Sequence, residues 1–217
     1  MKKNVIILAT SLLMVVLFMV ATYLYNNQKA ETKTQLAAQN NSALIAEYSP
    51  RKGSPAAKVT IVEFLDPACE TCKIFHPFIK DLLKKYPNKI NVVIRYSPFH
   101  HGSDQMVAIL EASRKQGQFW NVLDLMFETQ SSWAINHQAR PDIFWRHLTK
   151  VPNLDLKRLQ QDMNDPAIAN VIQQDLVDGK RLGANKTPTF FVNGKPLPSF
   201  GYEQLMNLVN SELAAHY

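Results

Sequence analysis

The only two cysteines of this 217-residue chain fall together as Cys69-Glu70-Thr71-Cys72, and their setting constrains the fold more than any other feature. One pair cannot frame a disulfide-rich miniprotein or complete a four-cysteine zinc site, so the two thiols act together. Before them, Val59 to Leu65 (VTIVEFL) is rich in β-branched and aromatic residues and reads as a strand buried on both faces, broken by Pro67-Ala68. After them, Cys69 to Tyr86 places Ile74, Phe75, Phe78, Ile79, Leu82 and Leu83 at helical spacing, with Lys84 and Lys85 where the dipole favours cations. The pair therefore opens a helix, in which Pro77 is expected to make a kink. Residues three apart share a helical face and can close a disulfide, while free N–H groups and the positive dipole end stabilise a thiolate on the N-terminal sulfur. Cys69 is then the nucleophile and Cys72 the resolving thiol of a two-electron exchange that needs no bound cofactor.

Two other uses of the pair compete with this one. A structural disulfide would close a very short loop and restrict the unfolded chain little. A metal-handling role has more chemistry behind it, since Cys69, Cys72 and His76 form CxxCxxxH on adjoining helical turns, His100-His101 offers a fourth ligand, and thiolates suit copper(I) or zinc. Packing beside Pro77 accounts equally well for His76, and His100-His101 reads as a solvated loop pair.

Beyond the pair, Lys89 to Tyr96 (KINVVIRY) is a second strand. Residues 103–181 show helical periodicity with breaks near Gly117, Pro141, Pro152 and Pro166. Thr189 to Val192, Asn193-Gly194 and Lys195 to Leu197 make a β-hairpin on the Asn-Gly turn signal, and Tyr202 to His216 is a closing amphipathic helix. The order is strand, helix, strand, helical block, hairpin, helix. Hydrophobic residues at 46% and charged residues at 19% are enough for a core and exclude a disordered chain.

The first 48 residues read as an address. Val5 to Tyr25 is uncharged and, as a helix rising about 1.5 Å per residue, matches the roughly 30 Å hydrocarbon core. The nearest small-x-small cleavage site, Met19-Val20-Ala21, is weak, so residues 1–25 are expected to be an uncleaved anchor, with a cleaved signal peptide as the alternative. Lys2 and Lys3 put the N-terminus in the cytoplasm and the remainder outside. Residues 26–48 read as a polar stalk or linker, in which Leu36, Leu44 and Ile45 permit an oligomer contact. Residues 49–217 form the domain.

The segment VTIVEFLDPACETCKIFHPF, followed far downstream by GANKTPTFFVNGKPL, resembles the thioredoxin-fold disulfide oxidoreductases of the DsbA family. The likeness spans Ser49 to Tyr217, with the helical block, about residues 103–181, where that family inserts a helical domain. The resemblance implies an α/β thioredoxin-like fold behind an N-terminal transmembrane helix, and thiol–disulfide exchange through Cys69 and Cys72 with no cofactor beyond the redox disulfide. It implies that Thr187 and a cis Pro188 face the pair and bind substrate backbone. It further implies that Glu63, six residues before Cys69, is a buried general acid/base for Cys72. Its clients would be extracytoplasmic cysteine-containing proteins, and its redox partner a DsbB-like oxidase or a DsbD-like reductase in the bacterial cytoplasmic membrane. Family oxidants often carry His between the cysteines, whereas this chain has Glu70-Thr71. A carboxylate beside Cys69 disfavours its thiolate, which places the expected potential between about −270 and −120 mV. The net charge of +6 is spread without long basic runs and gives no support for nucleic-acid binding.

Overall fold

The computed structural model describes residues 2–39 and 41–217, with side chains described from Leu12 onward except at 33 and 36–42. It begins with α1 (Lys2–Gln39), followed by the short α2 (Asn41–Leu44). The uncharged run lies within α1, and the side chains of Val5 to Ser11 are outside the described residues. Among the described residues no helix is long and apolar enough to cross a membrane, yet the large apolar side chains from Leu12 to Val20 are exposed.

Much of the segment read as a polar stalk or linker, residues 26–48, is helical. This stretch contains neither Gly nor Pro and has five Ala and three Gln, good helix formers, and α1 continues into it as far as Gln39. The domain also starts earlier than Ser49. Ala43 and Leu44 are buried against Val62, Phe64, Val93, Leu182, Ala184 and Phe191, with Ile45 packed beside them, so Leu44 belongs to the core and is not a stalk contact.

The central sheet has the order β1 (Arg51–Gly53), β3 (Ile90–Tyr96), β2 (Val59–Leu65), β6 (Thr189–Val192), β7 (Lys195–Pro196). β2 and β3 are parallel, joined across α3 (Glu70–Lys85), while β1 on β3, β6 on β2 and β7 on β6 are antiparallel. Alternation along the strands supplies two apolar faces. Ile61, Leu65, Val92, Ile94, Phe190 and Val192 face the larger core with α3 and α9 (Tyr202–His216), whereas Val62, Phe64, Val93 and Phe191 face the smaller one. Glu63 shares a period with Ile61 and Leu65, so its carboxyl lies on the face that carries the cysteine helix. α3 runs on through Pro77, which is exposed, where water can take the carbonyl that loses its partner.

Between β3 and β6 lies the helical block: α4 (Ser103–Arg114), α5 (Phe119–Trp133), the ribbon β4 (Ala134–Ile135) and β5 (Gln138–Ala139), α6 (Pro141–Trp145), a 3-10 turn (Leu148–Lys150), α7 (Leu156–Asp162) and α8 (Pro166–Arg181). Its breaks coincide with the glycine and proline positions read from the sequence. Asp155 and Asp165 cap α7 and α8 by accepting from the N–H groups of Arg158 and Ala167. The small ribbon went unread because two-residue strands carry no periodicity. α8 is tied to the sheet by a buried ionic group in which Arg95 of β3 donates to Asp175 at 2.8 Å and Asp178 at 2.7 Å, while Tyr48 donates to Asp175 at 2.7 Å. The whole is a thioredoxin-like α/β fold carrying a helical insertion.

Candidate active site

Cys69 is the N-cap of α3, in extended conformation at φ −76° and ψ 120°. Asp66 builds the turn before it. Its fully buried carboxylate accepts from the backbone N–H of Ala68 at 2.8 Å, Phe99 at 2.8 Å and His100 at 2.9 Å, and also from the Ser103 hydroxyl. From the insertion, the buried Gln130 of α5 donates its amide to the carbonyls of Pro67 at 2.8 Å and Cys69 at 3.0 Å. The loop that aims Cys69 is thus held by one residue from the strand end and one from the insertion. Sequence reading missed both, because a lone Asp after a strand and a lone Gln in a helix carry no pattern.

The two thiols are free and occupy different surroundings. Cys69 is lowered to about 6, chiefly by the hydrogen bond from the Cys72 thiol, with smaller help from Thr187 and the backbone N–H groups of Cys72 and Thr71, against an opposing effect of burial. Cys72 has no exposure, and burial, the bond to Cys69 and the charge of Glu63 push its thiol well above the ordinary value. Glu63 is buried between its β-partners Ile94 and Phe190. Desolvation, reinforced by the Cys69 charge, raises its carboxyl to about 8. Facing the pair across the cleft, the Thr187–Pro188 bond is cis, and the protonated Cys69 Sγ donates to the Thr187 carbonyl at 3.4 Å. Cys69, Cys72, Glu63, Thr187 and Pro188 therefore converge. Phe64, Leu65, Phe190 and Phe191 are buried and belong to the core.

Other expectations from the sequence change. Glu70 places its carboxylate 3.5 Å from His137 Nδ1, and the groups that lower Cys69 are, largest first, Cys72, Thr187 and the backbone N–H groups of Cys72 and Thr71. The alternative ligand set Cys69, Cys72 and His76 does not assemble among the described residues. His76 instead pairs with Asp124 of α5 at 2.6 Å, beside Lys80 on the same carboxylate at 2.9 Å, because seven residues carry it two turns, about 10 Å, along α3 from Cys69. His100 is not a solvated loop residue either: its Nδ1 lies 2.6 Å from Asp66.

Comparison with known proteins agrees with this architecture. A family model described as Thioredoxin matches residues 45–211. The Na(+)/H(+) antiporter NhaA of Herminiimonas arsenicoxydans is 30% identical over 146 residues, which is 67% of this chain and 22% of that protein. The chain thus spans about a fifth of the length of the antiporter relatives it matches. Disulfide bond formation protein D of Bacillus subtilis is 25% identical over 193 residues, covering 81% of this chain and 83% of that one. The crystal structure of a thioredoxin-like oxidoreductase from Silicibacter pomeroyi superposes with a TM-score of 0.70 at 26% identity, covering 82% of this chain and 99% of the other.

Proposed function

The chain belongs to the thioredoxin family, and from that premise we propose that it is a thiol–disulfide oxidoreductase acting on cysteine-containing proteins outside the cytoplasm. The observation that carries this reading is geometric: Cys69 caps α3 with its Sγ 3.4 Å from the Thr187 carbonyl that precedes the cis Pro188, and Cys72 is fully buried in the same helix; these surroundings drive the two thiols apart, Cys69 downward and Cys72 upward. In the oxidising direction, a client thiolate attacks Cys69 Sγ of the Cys69–Cys72 disulfide, that S–S bond breaks, and Cys72 leaves as a thiolate. Buried and costly as an anion, Cys72 takes a proton, for which Glu63, raised to about 8, is the donor at hand. A second client thiolate then attacks the client sulfur of the mixed disulfide and releases Cys69 as the better leaving group, because its thiol is the more acidic. The client loses two electrons and the protein gains them. Run backwards, the same steps reduce a client disulfide. Thr187 and Pro188 border the cleft, where the Thr187 backbone offers strand-like pairing to the client segment.

The uncharged run Val5 to Tyr25 anchors the chain in the bacterial cytoplasmic membrane, and the exposed apolar stretch from Leu12 to Val20 supports this. Lys2 and Lys3 keep the N-terminus inside. A membrane partner, a DsbB-like oxidase or a DsbD-like reductase, resets the pair. The name of the B. subtilis relative supports the redox assignment. The test is stoichiometric: oxidised protein mixed with a reduced dithiol peptide should yield one peptide disulfide per chain, and Cys69→Ser should yield none. Exchange that persists in Cys69→Ser would overturn the assignment.

A further inference from the structure

The rim of the dithiol carries a second group of ligand-type side chains that thiol exchange does not use. Glu70 in the first turn of α3, His100 in the loop after β3 and His137 in the β4–β5 turn bring a carboxylate oxygen and two imidazole nitrogens within 4.8 Å of one another. The residues come from three separate segments, so no sequence spacing announces them. Ligand atoms about 2.0–2.1 Å from a tetrahedral zinc are about 3.4 Å apart, and Glu70 Oε1 already lies 3.5 Å from His137 Nδ1. The imidazole rings of His100 and His137 are 5.8 Å apart and inclined by only 20°.

A second observation concerns His100 itself. Its Nδ1 lies 2.6 Å from Asp66 Oδ2, and Asp66 is fully buried and fixed by three backbone N–H groups. A carboxylate that accepts from one imidazole nitrogen sets the tautomer and turns the lone pair of the other nitrogen outward, the arrangement that supports metal-bound histidines. Glu70 and His137 are exposed on their side chains at 51% and 73%, so an ion can enter and both side chains can swing inward. Two imidazoles and one carboxylate favour a zinc-class ion over calcium or magnesium, which prefer all-oxygen sets.

We propose that Glu70, His100 and His137 form a site for one divalent transition-metal ion of the zinc class at the rim of the redox pair, with a fourth position open to water. The site is separate from the cysteines, and an ion in it would tie the first turn of α3 to the β4–β5 turn of the insertion. Zinc chloride titrated into the full chain in its disulfide form, where the cysteines cannot ligate, tests this with a competing chromophoric chelator. The expected result is one zinc per chain, with affinity reduced by about tenfold or more in His137→Ala and in Glu70→Gln and unchanged in His76→Ala. Both altered side chains are exposed, and the thermal midpoint without zinc reports that each variant is folded. Zinc should raise that midpoint in the parent protein and leave it unmoved in His137→Ala. No stoichiometric binding, or equal affinity in parent, His137→Ala and Glu70→Gln, would overturn the proposal.

Discussion

Replacing Cys72 with alanine removes the thiol that contributes most to stabilising the Cys69 thiolate, while the backbone N–H groups of residues 71 and 72 stay in place. A hydrogen bond to a charged group is worth about 1.5–3 kcal/mol, and one pKa unit corresponds to about 1.4 kcal/mol. Cys69 titrates near 6 in the parent protein, so Cys72→Ala should move that midpoint upward by about one to two pH units. Cys72→Ser keeps a donor at the same place and should leave the midpoint near its starting value. Each variant retains one cysteine, so thiolate absorbance at 240 nm between pH 4 and 10 reports Cys69 alone. Alkylation by iodoacetamide supplies an independent signature. Nucleophilicity rises with pKa with a Brønsted slope of about 0.4–0.5, so the high-pH plateau rate in Cys72→Ala should increase by about fivefold even as the midpoint rises. Coincident midpoints near 6 in Cys72→Ala and Cys72→Ser would refute the reasoning and shift the stabilisation to the helix N-terminus.

Other consequences follow from buried charge. Glu63 titrates near 8 in the fold against an ordinary 4.5, so between those values the unfolded chain binds fewer protons and stability falls as pH rises. Glu63→Gln should therefore stabilise the reduced protein by a few kcal/mol at pH 8 and by little at pH 4.5, read from urea unfolding; an equal effect at both pH values would contradict the buried-acid account. Arg95→Ala leaves Asp175 and Asp178 buried without their cation and should cost about 3–5 kcal/mol in urea unfolding, while leaving the Cys69 midpoint unchanged. Gly102 has φ +79°, and a Cβ there would stand 2.8 Å from the Ala139 carbonyl. Gly102→Ala should lower the thermal midpoint, since both backbone strain and a backbone clash oppose it.

The strands, the cysteine helix and the hairpin were legible because each carries a local signal: β-branched runs, helical spacing of apolar residues, and Asn193-Gly194 with both residues at positive φ. The boundary of the domain was not, because Ala43 and Leu44 gain their meaning only from Val62, Phe64 and Phe191 far along the chain. The site divided in the same way. Cys69 and Cys72 announce themselves by spacing, whereas Gln130 and Asp66 act through carbonyls and N–H groups that no side-chain motif specifies. Glu70 illustrates the limit of sequence adjacency. It is next to Cys69 in the chain, yet the helix cap turns its carboxylate toward His137, so an electrostatic argument from neighbours gave it a role that falls to Cys72.

The central claim, that an unequal thiol pair at the cap of α3 is built for exchange, is tested most directly by the reduction potential of Cys69–Cys72. A more acidic nucleophile stabilises the reduced state and makes the disulfide more oxidising. Reference pairs have nucleophile pKa values of about 7 at about −270 mV and about 3.5 at about −120 mV. A Cys69 near 6 then interpolates to a potential of about −230 mV. Equilibration of the protein in glutathione buffers, read by thiol alkylation and mass, should return a value near that figure. A potential at or below about −270 mV would contradict the account, because it would place the Cys69 nucleophile no more acidic than the reference pair at about 7.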